Sequence, residues 1–353
     1  MHPEPLWGRR SLEDVSVVGT QCAVTGWAFA RDGGELERIE VETRPAGGGS
    51  FRSLELGDSH DVSAAFPNDA PPDRCRFRVV LSLEREATSD GMLFLLRPVF
   101  AGGAGRVWSV GHGLLSPPRE FLDLVGGGRD VGLEFVDYFL DFAGLTVDDA
   151  LLDLGCGTGR MAIPLQKILS RRGRYIGIDV DSRLTDWCKE KIQANDDRFQ
   201  FRHVPVRNEM YNPGGRLDPA TASLPVETAQ ASFAFATSVF THLRASHAAH
   251  YLRELGRCVR VGGRLLMTAF LIDPAGTETS GRSSSSTLRF RRYDAETWTT
   301  DPRLPETAIG FAPATLERWA SRGGLALERV LPGNWLARDD GYSYQDILIF
   351  VRR

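Results

Sequence analysis

The segment ALLDLGCGTGR at residues 150–160 constrains the fold more strongly than any other part of the chain. Its apolar first half has the length and composition of a buried strand, and Gly155, Gly157 and Gly159 follow that strand directly. Glycines are required where a chain turns tightly and its backbone approaches a ligand, because a Cβ would collide there. The segment therefore predicts a buried strand, a glycine-rich turn and a helix that begins just after the turn.

From about residue 130 onwards, strand patterns alternate with helical patterns. The predicted strands are ALLDL, RYIGIDV, FQFRHV, ASFAFATS, RLLMTAFL, LALERVL and DILIFV, and the predicted helices cover about 130–142, 161–170, 182–194, 246–258 and 313–322. Asp130 is the predicted N-cap of the first of these helices. Such alternation predicts a parallel, doubly wound, Rossmann-like α/β sheet. We expect the Ser-, Thr- and Gly-rich stretch 273–287, which interrupts the pattern, to be a surface loop.

The first hundred or so residues have a different pattern, that of short strands separated by turns. The predicted strands are CAVTGWAFA, LERIEVETR, FRSLEL, RCRFRVVLSL and GMLFLLRPVF, with turn signals at RDGG, PAGGGS and PNDAPPD. No helical period is found before residue 118, so this region predicts an all-β, sandwich-like domain. Because Pro117-Pro118 and the glycines at 126–128 indicate a linker region, we predict two domains, 1–116 and 117–353.

Charge and cysteine content exclude several classes of protein. The net charge of -4 argues against a dedicated nucleic-acid binder. The five cysteines are scattered, without a CxxC pair, which suits a reducing compartment. The first residues lack the apolar core of a signal peptide, and no apolar run approaches the roughly 18 residues that span a bilayer. We therefore expect a cytoplasmic protein without a membrane span.

An acid on each of the first two strands indicates which ligand the glycine-rich turn binds. Asp179 ends the strand RYIGID, where a carboxylate accepts the ribose hydroxyls of an adenosine. Asp153 precedes the first glycine, where it would repel a pyrophosphate but attract an ammonium group. The spacing is GxGxG rather than the GxGxxG of dinucleotide sites. These features favour S-adenosylmethionine over NAD; the alternative is a turn that needs glycine only for packing.

The motifs LLDLGCGTGR, YIGIDVD, FAFATSVFTHL and YLRELGRCVRVGGRLLMTAF resemble those of class I S-adenosylmethionine-dependent methyltransferases. The resemblance covers about residues 120–353. Within that superfamily, GGGRDVG, NEMYNPGG, SVFTHL and SYQDILIF are similar to a bacterial subgroup that is associated with glycan or natural-product assembly. The motifs are specific for the cofactor and the fold, and they are poorly specific for the substrate.

The resemblance implies a set of cofactor contacts. The resemblance implies that the three glycines surround the methionine part of the cofactor and that Asp153 orients its amine. It also implies that Asp179 holds the ribose and that the segment after the fourth strand lies beside the sulfonium. The predicted contacts are Asp153, Gly155, Cys156, Gly157, Gly159, Arg160, Asp179, Val180, Thr237, Ser238 and Val239. Many relatives have an acid after the third strand that contacts adenine, but Pro205 stands there, so backbone groups or Asn208 would hold the adenine instead.

Two residues are candidates for the chemistry of methyl transfer. His242 follows the fourth strand and could act as the general base that an alcohol acceptor needs, or it could only pack or cap the next helix. Tyr211, in NEMYNPGG, could contact the acceptor, or it could simply lie in a turn fixed by Asn-Pro-Gly-Gly. We predict O-methylation of a hydroxyl on a saccharide or a glycosylated small molecule. The alternatives are N- or C-methylation of a small metabolite and a cofactor-binding scaffold without turnover.

Other residues have weaker functional interpretations. The aromatic residues of the helix near 135–142 could cover the cofactor but fit core burial better; these are Phe135, Tyr138, Phe139 and Phe142. Arg289, Arg291 and Arg292 could bind an anion, although an exposed charge run is the simpler interpretation. No metal is predicted, because residues 233–243 contain no carboxylate and His247 with His250 forms only a pair.

The role of the front domain is left open by the sequence. It could be a module that docks a carbohydrate or a partner, or a structural element through which the protein forms a homo-oligomer. Trp7 or Trp27 would suit sugar stacking if exposed and core packing if buried.

Overall fold

The computed structural model shows two compact units. It describes residues 8–18, 20–30, 34–44, 49–65, 71–72, 74–83, 91–128, 130–274, 278–280, 288–336 and 341–353. The first unit comprises the described residues up to 144 together with 163–168, and the second comprises 145–162 and 169–353. Residues 117–144, which the sequence assigns to the second domain, therefore belong with the first unit. Among the described residues, no helix is long and apolar enough to cross a membrane.

The first unit contains two antiparallel sheets. Its strands are β1 (Gly8–Val18), β2 (Gln21–Ala30), β3 (Leu36–Arg44), β4 (Gly49–Gly57), β5 (Arg76–Leu83), β6 (Met92–Phe100), β7 (Gly103–Ala104) and β8 (Trp108–His112). One sheet has the order β1-β2-β5-β4; in the other, β6 pairs with β3, β7 and β8. Alternate side chains of β2 and β5 share one core with those of β3 and β6. An antiparallel, β-rich region is thus confirmed and all five predicted strands are present, but the region is not all-β, because it also contains a short helix at His60–Ala65.

Four helices also belong to the first unit, wholly or for most of their length. They are α1 (His60–Ala65), α2 (Arg119–Val125), α3 (Val131–Asp141) and α4 (Ala162–Ile168). The sequence missed α1, which is too short to show a helical period. Helix α3 belongs with the β-strands because Asp137 and Asp141 accept backbone N–H groups from Ser109 (2.8 Å) and Val107 (2.8 Å) beside it. Asp130 stands at the N-cap of α3, but its side chain makes no capping hydrogen bond.

The second unit is built on a large mixed sheet. Its strands are β9 (Ala150–Leu154), β10 (Arg174–Asp179), β11 (Phe199–His203), β12 (Ala231–Ala236), β13 (Val259–Leu271), β14 (Glu278–Ser280), β15 (Arg289–Arg292), β16 (Thr297–Thr299), β17 (Ile309–Phe311), β18 (Leu325–Leu331) and β19 (Asp346–Arg352). Its helices are α5 (Ser182–Cys188), α6 (Ala245–Cys258) and α7 (Pro313–Arg322). Short turns of other helical types cover Lys189–Gln193, Phe240–His242 and Pro305–Thr307.

The central strands have the order β11-β10-β9-β12-β13-β19-β18. The first five are parallel, so β9, β10 and β12 all end at one edge of the sheet. The predicted Rossmann-like sheet is confirmed, but it is not wholly parallel, because β19 is antiparallel to both β13 and β18. The described residues of the connection from β18 to β19, 332–336 and 341–345, contain no helix, and a parallel pair would need a crossover connection, which is usually a helix.

Part of the stretch 273–287, which the sequence predicts as a surface loop, forms β14 and extends the sheet. The end of β13 pairs with β17, and β17, β16, β15 and β14 continue as an antiparallel ribbon. Residues 275–277 and 281–287 of the predicted loop lie outside the described residues. On β15, Arg289, Arg291 and Arg292 are all exposed, and the Arg292 guanidinium lies 5.3 Å from the ring centre of Trp298.

The buried carboxylate of Asp346 joins three parts of the second unit. Its Oδ1 accepts the backbone N–H of Gly333 (2.8 Å), and its Oδ2 accepts the backbone N–H of Leu271 (2.9 Å) and the indole N–H of Trp335 (2.8 Å). Asp346 is only 5% exposed. Loss of the carboxylate would therefore leave three donors without a partner in a place that water does not reach.

We expect Asp346→Ala to lower the free energy of unfolding by about 3 kcal/mol or more, since each unsatisfied buried donor costs about 1–3 kcal/mol. Urea unfolding of the wild type and the variant measures the difference. The control is Glu328→Ala, which removes an exposed pair with Arg264 and should cost no more than about 1 kcal/mol. Equal losses in the two variants would contradict the role of Asp346.

Candidate functional site

The turn after β9 has a backbone that requires its glycines. Gly155, Gly157 and Gly159 have φ values of +79°, +50° and +71°, in the left-handed region that other residues rarely adopt. A Cβ on Gly155 would lie 2.3 Å from Cγ2 of Val239, which follows β12. The turn and the segment after β12 are thus in close contact, and only glycine fits between them.

Cys156 is part of this turn, but its thiol is buried. Its backbone N–H donates to the carbonyl oxygen of Ile178 (3.0 Å). Its side chain packs against β10, where a Cβ on Gly177 would lie 2.9 Å from the Cβ of Cys156. Burial raises the pKa of the thiol well above its usual range, so the group is neutral and unreactive.

Asp153, on β9, is a buried carboxylate with one unpartnered oxygen. Its Oδ2 accepts the hydroxyl of Tyr175 (2.5 Å), and its Oδ1 has no hydrogen-bond partner among the described residues. Burial raises its pKa to about 7. The hydroxyl of Thr158, in the same turn, is also buried without a partner in the described part of the chain. A buried carboxylate oxygen without a donor suits a cationic ligand that would satisfy it.

Asp179, the last residue of β10, is held by the glycine-rich turn. Its Oδ2 accepts the backbone N–H of Gly157 (2.8 Å), and its Oδ1 accepts the backbone N–H of Asp181 (2.9 Å). Burial raises its pKa above the ordinary aspartate value. Two carboxylate oxygens have about four acceptor positions, so those that remain can still accept the two hydroxyls of a ribose.

Tyr211 and His242, which lie on different loops, are in contact. The Tyr211 hydroxyl is 3.3 Å from Nε2 of His242, and the two rings meet edge to face at 5.2 Å. Nδ1 of His242 is 2.7 Å from the backbone oxygen of Glu306. Because a carbonyl oxygen can only accept, Nδ1 carries the proton, and the Nε2 lone pair accepts the Tyr211 hydroxyl. Burial lowers the pKa of His242, which favours this neutral form.

Asn208 organises the loop that carries Tyr211. Its Oδ1 accepts the backbone N–H groups of Met210 (3.0 Å) and Tyr211 (2.9 Å), and its Nδ2 is 3.3 Å from the carbonyl oxygen of His242. The amide is thus engaged within the protein, and this geometry does not support the expectation that Asn208 holds adenine. The carbonyl oxygen of Pro205 accepts the N–H groups of Arg216 and Leu217, so the backbone here is also occupied.

The segment after β12 contains a residue in an unusual conformation. Ser238 has a φ of +58°, a region that costs free energy for residues other than glycine. Its N–H donates to Oγ1 of Thr268 (2.7 Å), whose hydroxyl donates to Oε1 of Gln345 (2.6 Å). Ser238 is held at the edge of the sheet by β13 and by the residue before β19. Thr237 and Val239, on either side of it, are half-buried.

Several of these groups, at the carboxyl edge of the parallel strands, shift one another's pKa through their charges. Burial raises the pKa of Tyr211; Asp179 raises it further, and Arg160 lowers it. Arg160 is half-buried, and its pKa is lowered by burial and raised by Asp153. The predicted candidates on the turn, on β10 and on the two loops therefore share one site. Val180 is half-buried beside them, and its carbonyl oxygen accepts His203 Nε2–H (3.1 Å).

The sequence analysis missed four residues that support the site from distant segments, namely Tyr175, Thr268, Glu306 and Gln345, and it gave Asn208 a different role. Only Tyr175 had a local signal, because it lies on the strand next to β9 with a hydroxyl in an otherwise apolar run. Thr268 lies on β13, and Glu306 and Gln345 lie between strands, so their proximity to the site depends on the folded topology.

The structure also describes most of the remaining candidates. Phe135, Tyr138 and Phe139 are buried in α3. Trp27 is half-buried and stacks on Phe29 at 5.8 Å, whereas Trp7 lies outside the described residues. Nε2 of His250 donates to the carbonyl oxygen of Ala222 (2.8 Å), and the described residues contain no group of three or more side chains suited to a metal ion.

The sheet, the glycine-rich turn and the two acids define an α/β domain that binds a nucleoside-containing cofactor. Residues 152–267 match the family described as a methyltransferase domain. The chain is 31% identical over 121 residues to an uncharacterized methyltransferase of Emericella nidulans (33% of this chain, 40% of that protein). It is 28% identical over 232 residues to a ribosomal protein L11 methyltransferase of Edwardsiella ictaluri (64% of each). The chain thus matches less than two thirds of the length of either relative.

A geranyl diphosphate C-methyltransferase of Streptomyces coelicolor, solved with S-adenosylhomocysteine, has a TM-score of 0.45 and 13% identity over 67% of this chain and 85% of that one. The matched segment, residues 152–267, contains the glycine-rich turn, both acids, Tyr211 and His242. The residues present fit S-adenosylmethionine as the cofactor, because it contains a cationic ammonium and Oδ1 of Asp153 has no hydrogen-bond partner among the described residues.

The pKa of Asp153 predicts how cofactor binding depends on pH. Below its pKa of about 7 the carboxyl is protonated and attracts an ammonium group less strongly. Affinity for S-adenosylhomocysteine should therefore fall about tenfold per pH unit between about pH 7 and about pH 5.5. Calorimetry measures this slope. In Asp153→Asn, binding should be weak and nearly independent of pH; a flat profile in the wild type would contradict the assignment.

Proposed function

We propose that this protein transfers a methyl group from S-adenosylmethionine to the hydroxyl oxygen of a saccharide or a glycosylated small molecule. The observation that carries the proposal is the contact between the Tyr211 hydroxyl and the neutral imidazole of His242, beside the cofactor turn. An alcohol becomes nucleophilic only as it loses its proton, and a positioned base contributes about 10²–10⁴-fold to such a step. Oxygen is therefore the acceptor atom that makes use of this pair.

Residues at the sheet edge hold the cofactor in this proposal. Asp153 binds the ammonium group through its unpartnered oxygen, and Asp179 accepts the ribose hydroxyls. The backbone of the glycine-rich turn surrounds the methionine part, with Cys156 contributing its backbone only. Arg160, Val180 and the segment 237–239 complete the contacts. When bound, the cofactor supplies an electrophilic methyl group.

His242 and Tyr211 prepare the acceptor. Nε2 of His242 is the basic atom, because Nδ1 already donates to a backbone oxygen. The Tyr211 hydroxyl covers Nε2, so the acceptor hydroxyl contacts Tyr211 and its proton reaches His242 through the phenol. The neutral imidazole is ready to accept a proton, since burial keeps its pKa below the ordinary histidine value.

The resemblance to a subgroup associated with glycan or natural-product assembly supports a saccharide-bearing acceptor. The five cysteines are free and buried thiols in the described structure, which supports a cytoplasmic setting. We propose no nucleic-acid partner, in keeping with the acidic net charge of -4. Assembly through the β-rich first unit is a further proposal, which measurement of the molar mass in solution tests.

A screen with methyl-labelled S-adenosylmethionine tests the function. The acceptors are monosaccharides, glycosides and small amines, and mass spectrometry locates the label. We expect the label on a hydroxyl oxygen. Label on nitrogen or carbon would contradict O-methylation, and binding of the cofactor without transfer to any acceptor would favour a scaffold.

Two substitutions test the roles of the pair with the acceptor found in that screen. His242→Ala and Tyr211→Phe should each lower kcat by about 10²–10⁴-fold, because proton removal slows, while cofactor affinity is retained. The control is His250→Ala, which removes an imidazole bonded to the carbonyl oxygen of Ala222 and should leave kcat unchanged. Unchanged turnover in His242→Ala at neutral pH would contradict the role of His242 as the base.

A further inference from the structure

Glu306 contacts two segments of the second unit that are distant from it in sequence, the loop at Glu209 and the segment 242–244. Its Oε2 accepts the backbone N–H of Glu209 (2.7 Å), and its Oε1 is 3.3 Å from Nε of Arg244. Its backbone oxygen accepts Nδ1–H of His242 (2.7 Å). The side chain is only 3% exposed, so these contacts are shielded from water.

The backbone contact determines which nitrogen of His242 is basic. A hydrogen bond from Nδ1–H to a carbonyl oxygen selects the tautomer in which Nε2 has the lone pair. The opposite tautomer would place a lone pair against the carbonyl oxygen and leave Nε2 without one. The turn that presents this carbonyl, Pro305–Thr307, is therefore a condition for a basic Nε2.

The carboxylate contacts keep that turn in place and hold Tyr211 as well. Glu209 lies next to the Asx turn that Asn208 forms with Met210 and Tyr211, so its bond to Glu306 fixes the loop that carries the phenol. Arg244 follows His242 by two positions, and its charge attracts Glu306 from that side at 3.3 Å, although its Nε makes no hydrogen bond among the described residues. A buried carboxylate needs such partners, because an unpaired charge there is costly.

We propose that Glu306 is a positioning residue for proton removal, which fixes the Nδ1–H tautomer of His242 and keeps Tyr211 against Nε2. In this proposal it acts only through His242 and Tyr211. Its catalytic consequence rests on the proposed O-methylation, whereas its effect on the imidazole does not.

The test observes the imidazole directly in the full-length protein. Long-range ¹H–¹⁵N correlation spectra of protein labelled at its 7 histidines distinguish the two neutral tautomers. The His242 signals are those that disappear in His242→Ala. At about pH 8, above the ordinary imidazole pKa, we expect a single Nδ1–H tautomer in the wild type.

Glu306→Ala should give mixed tautomers and a shifted Nε2 signal, because the turn and the Tyr211 loop lose their common anchor. Glu306→Gln should restore most of the wild-type spectrum, since its amide oxygen still accepts the N–H of Glu209. Arg244→Met, at a partly exposed position, should move the signals in the same direction as Glu306→Ala but by less. It serves as the second variant if Glu306→Ala does not fold.

The matched control is Glu254→Ala. Glu254 also accepts one backbone N–H, from Leu224 (2.8 Å), and also pairs with an arginine, Arg257 (2.8 Å), on α6. Loss of these contacts on α6 should leave the His242 signals unchanged. Wild-type signals in both Glu306→Ala and Arg244→Met would overturn the proposal, as would equal shifts in Glu254→Ala.

Kinetics with the hydroxyl acceptor from the labelled-methyl screen adds a second readout. Glu306→Ala should lower kcat by about 100-fold with little change in KM, because misplacement of a reacting group by about 1 Å costs that much. Unchanged kcat together with mixed tautomers would overturn the catalytic part. If no hydroxyl is methylated at all, the proposed function is wrong. The spectra still test whether Glu306 fixes the tautomer of His242.

Discussion

The hydrogen bond from the Gly157 N–H to the Asp179 carboxylate joins the turn after β9 to the end of β10. Because these two strands are parallel neighbours, the bond brings the glycine backbone and an acid to one edge of the sheet. The contact between Gly155 and Val239 adds the end of β12. The cofactor site thus follows from three adjacent strand ends that close packing holds together.

The buried carboxylate of Asp153 and the half-buried carboxylate of Asp179 have different electrostatic surroundings. Asp179 accepts two backbone N–H groups, and desolvation still raises its pKa. Among the described residues, Asp153 has a single donor and one unpartnered oxygen, and its pKa rises to about 7. The protein therefore keeps a desolvated acid at the end of β9, where a cationic ligand can stabilise its ionised form.

The sequence was sufficient for the parts of the site that depend on local pattern. The strand, the glycines and the spaced acids occupy adjacent elements, so a periodicity and a turn signal predict them. It was not sufficient for Glu306, whose bond to Glu209 spans 97 positions along the chain. The sequence also predicted a parallel sheet and so missed the antiparallel direction of β19. His242 was predicted as a candidate base, or as a residue that only packs or caps, and its contact with the Tyr211 phenol became visible only in the fold.

The family match ends at residue 267, whereas Thr268, Glu306 and Gln345 lie beyond it. The matched segment contains the glycine-rich turn, both acids, Tyr211 and His242, whereas later segments supply the groups that support Ser238 and His242. A substitution beyond residue 267 can therefore change how these two residues are held while every proposed cofactor and acceptor contact keeps its own side chain.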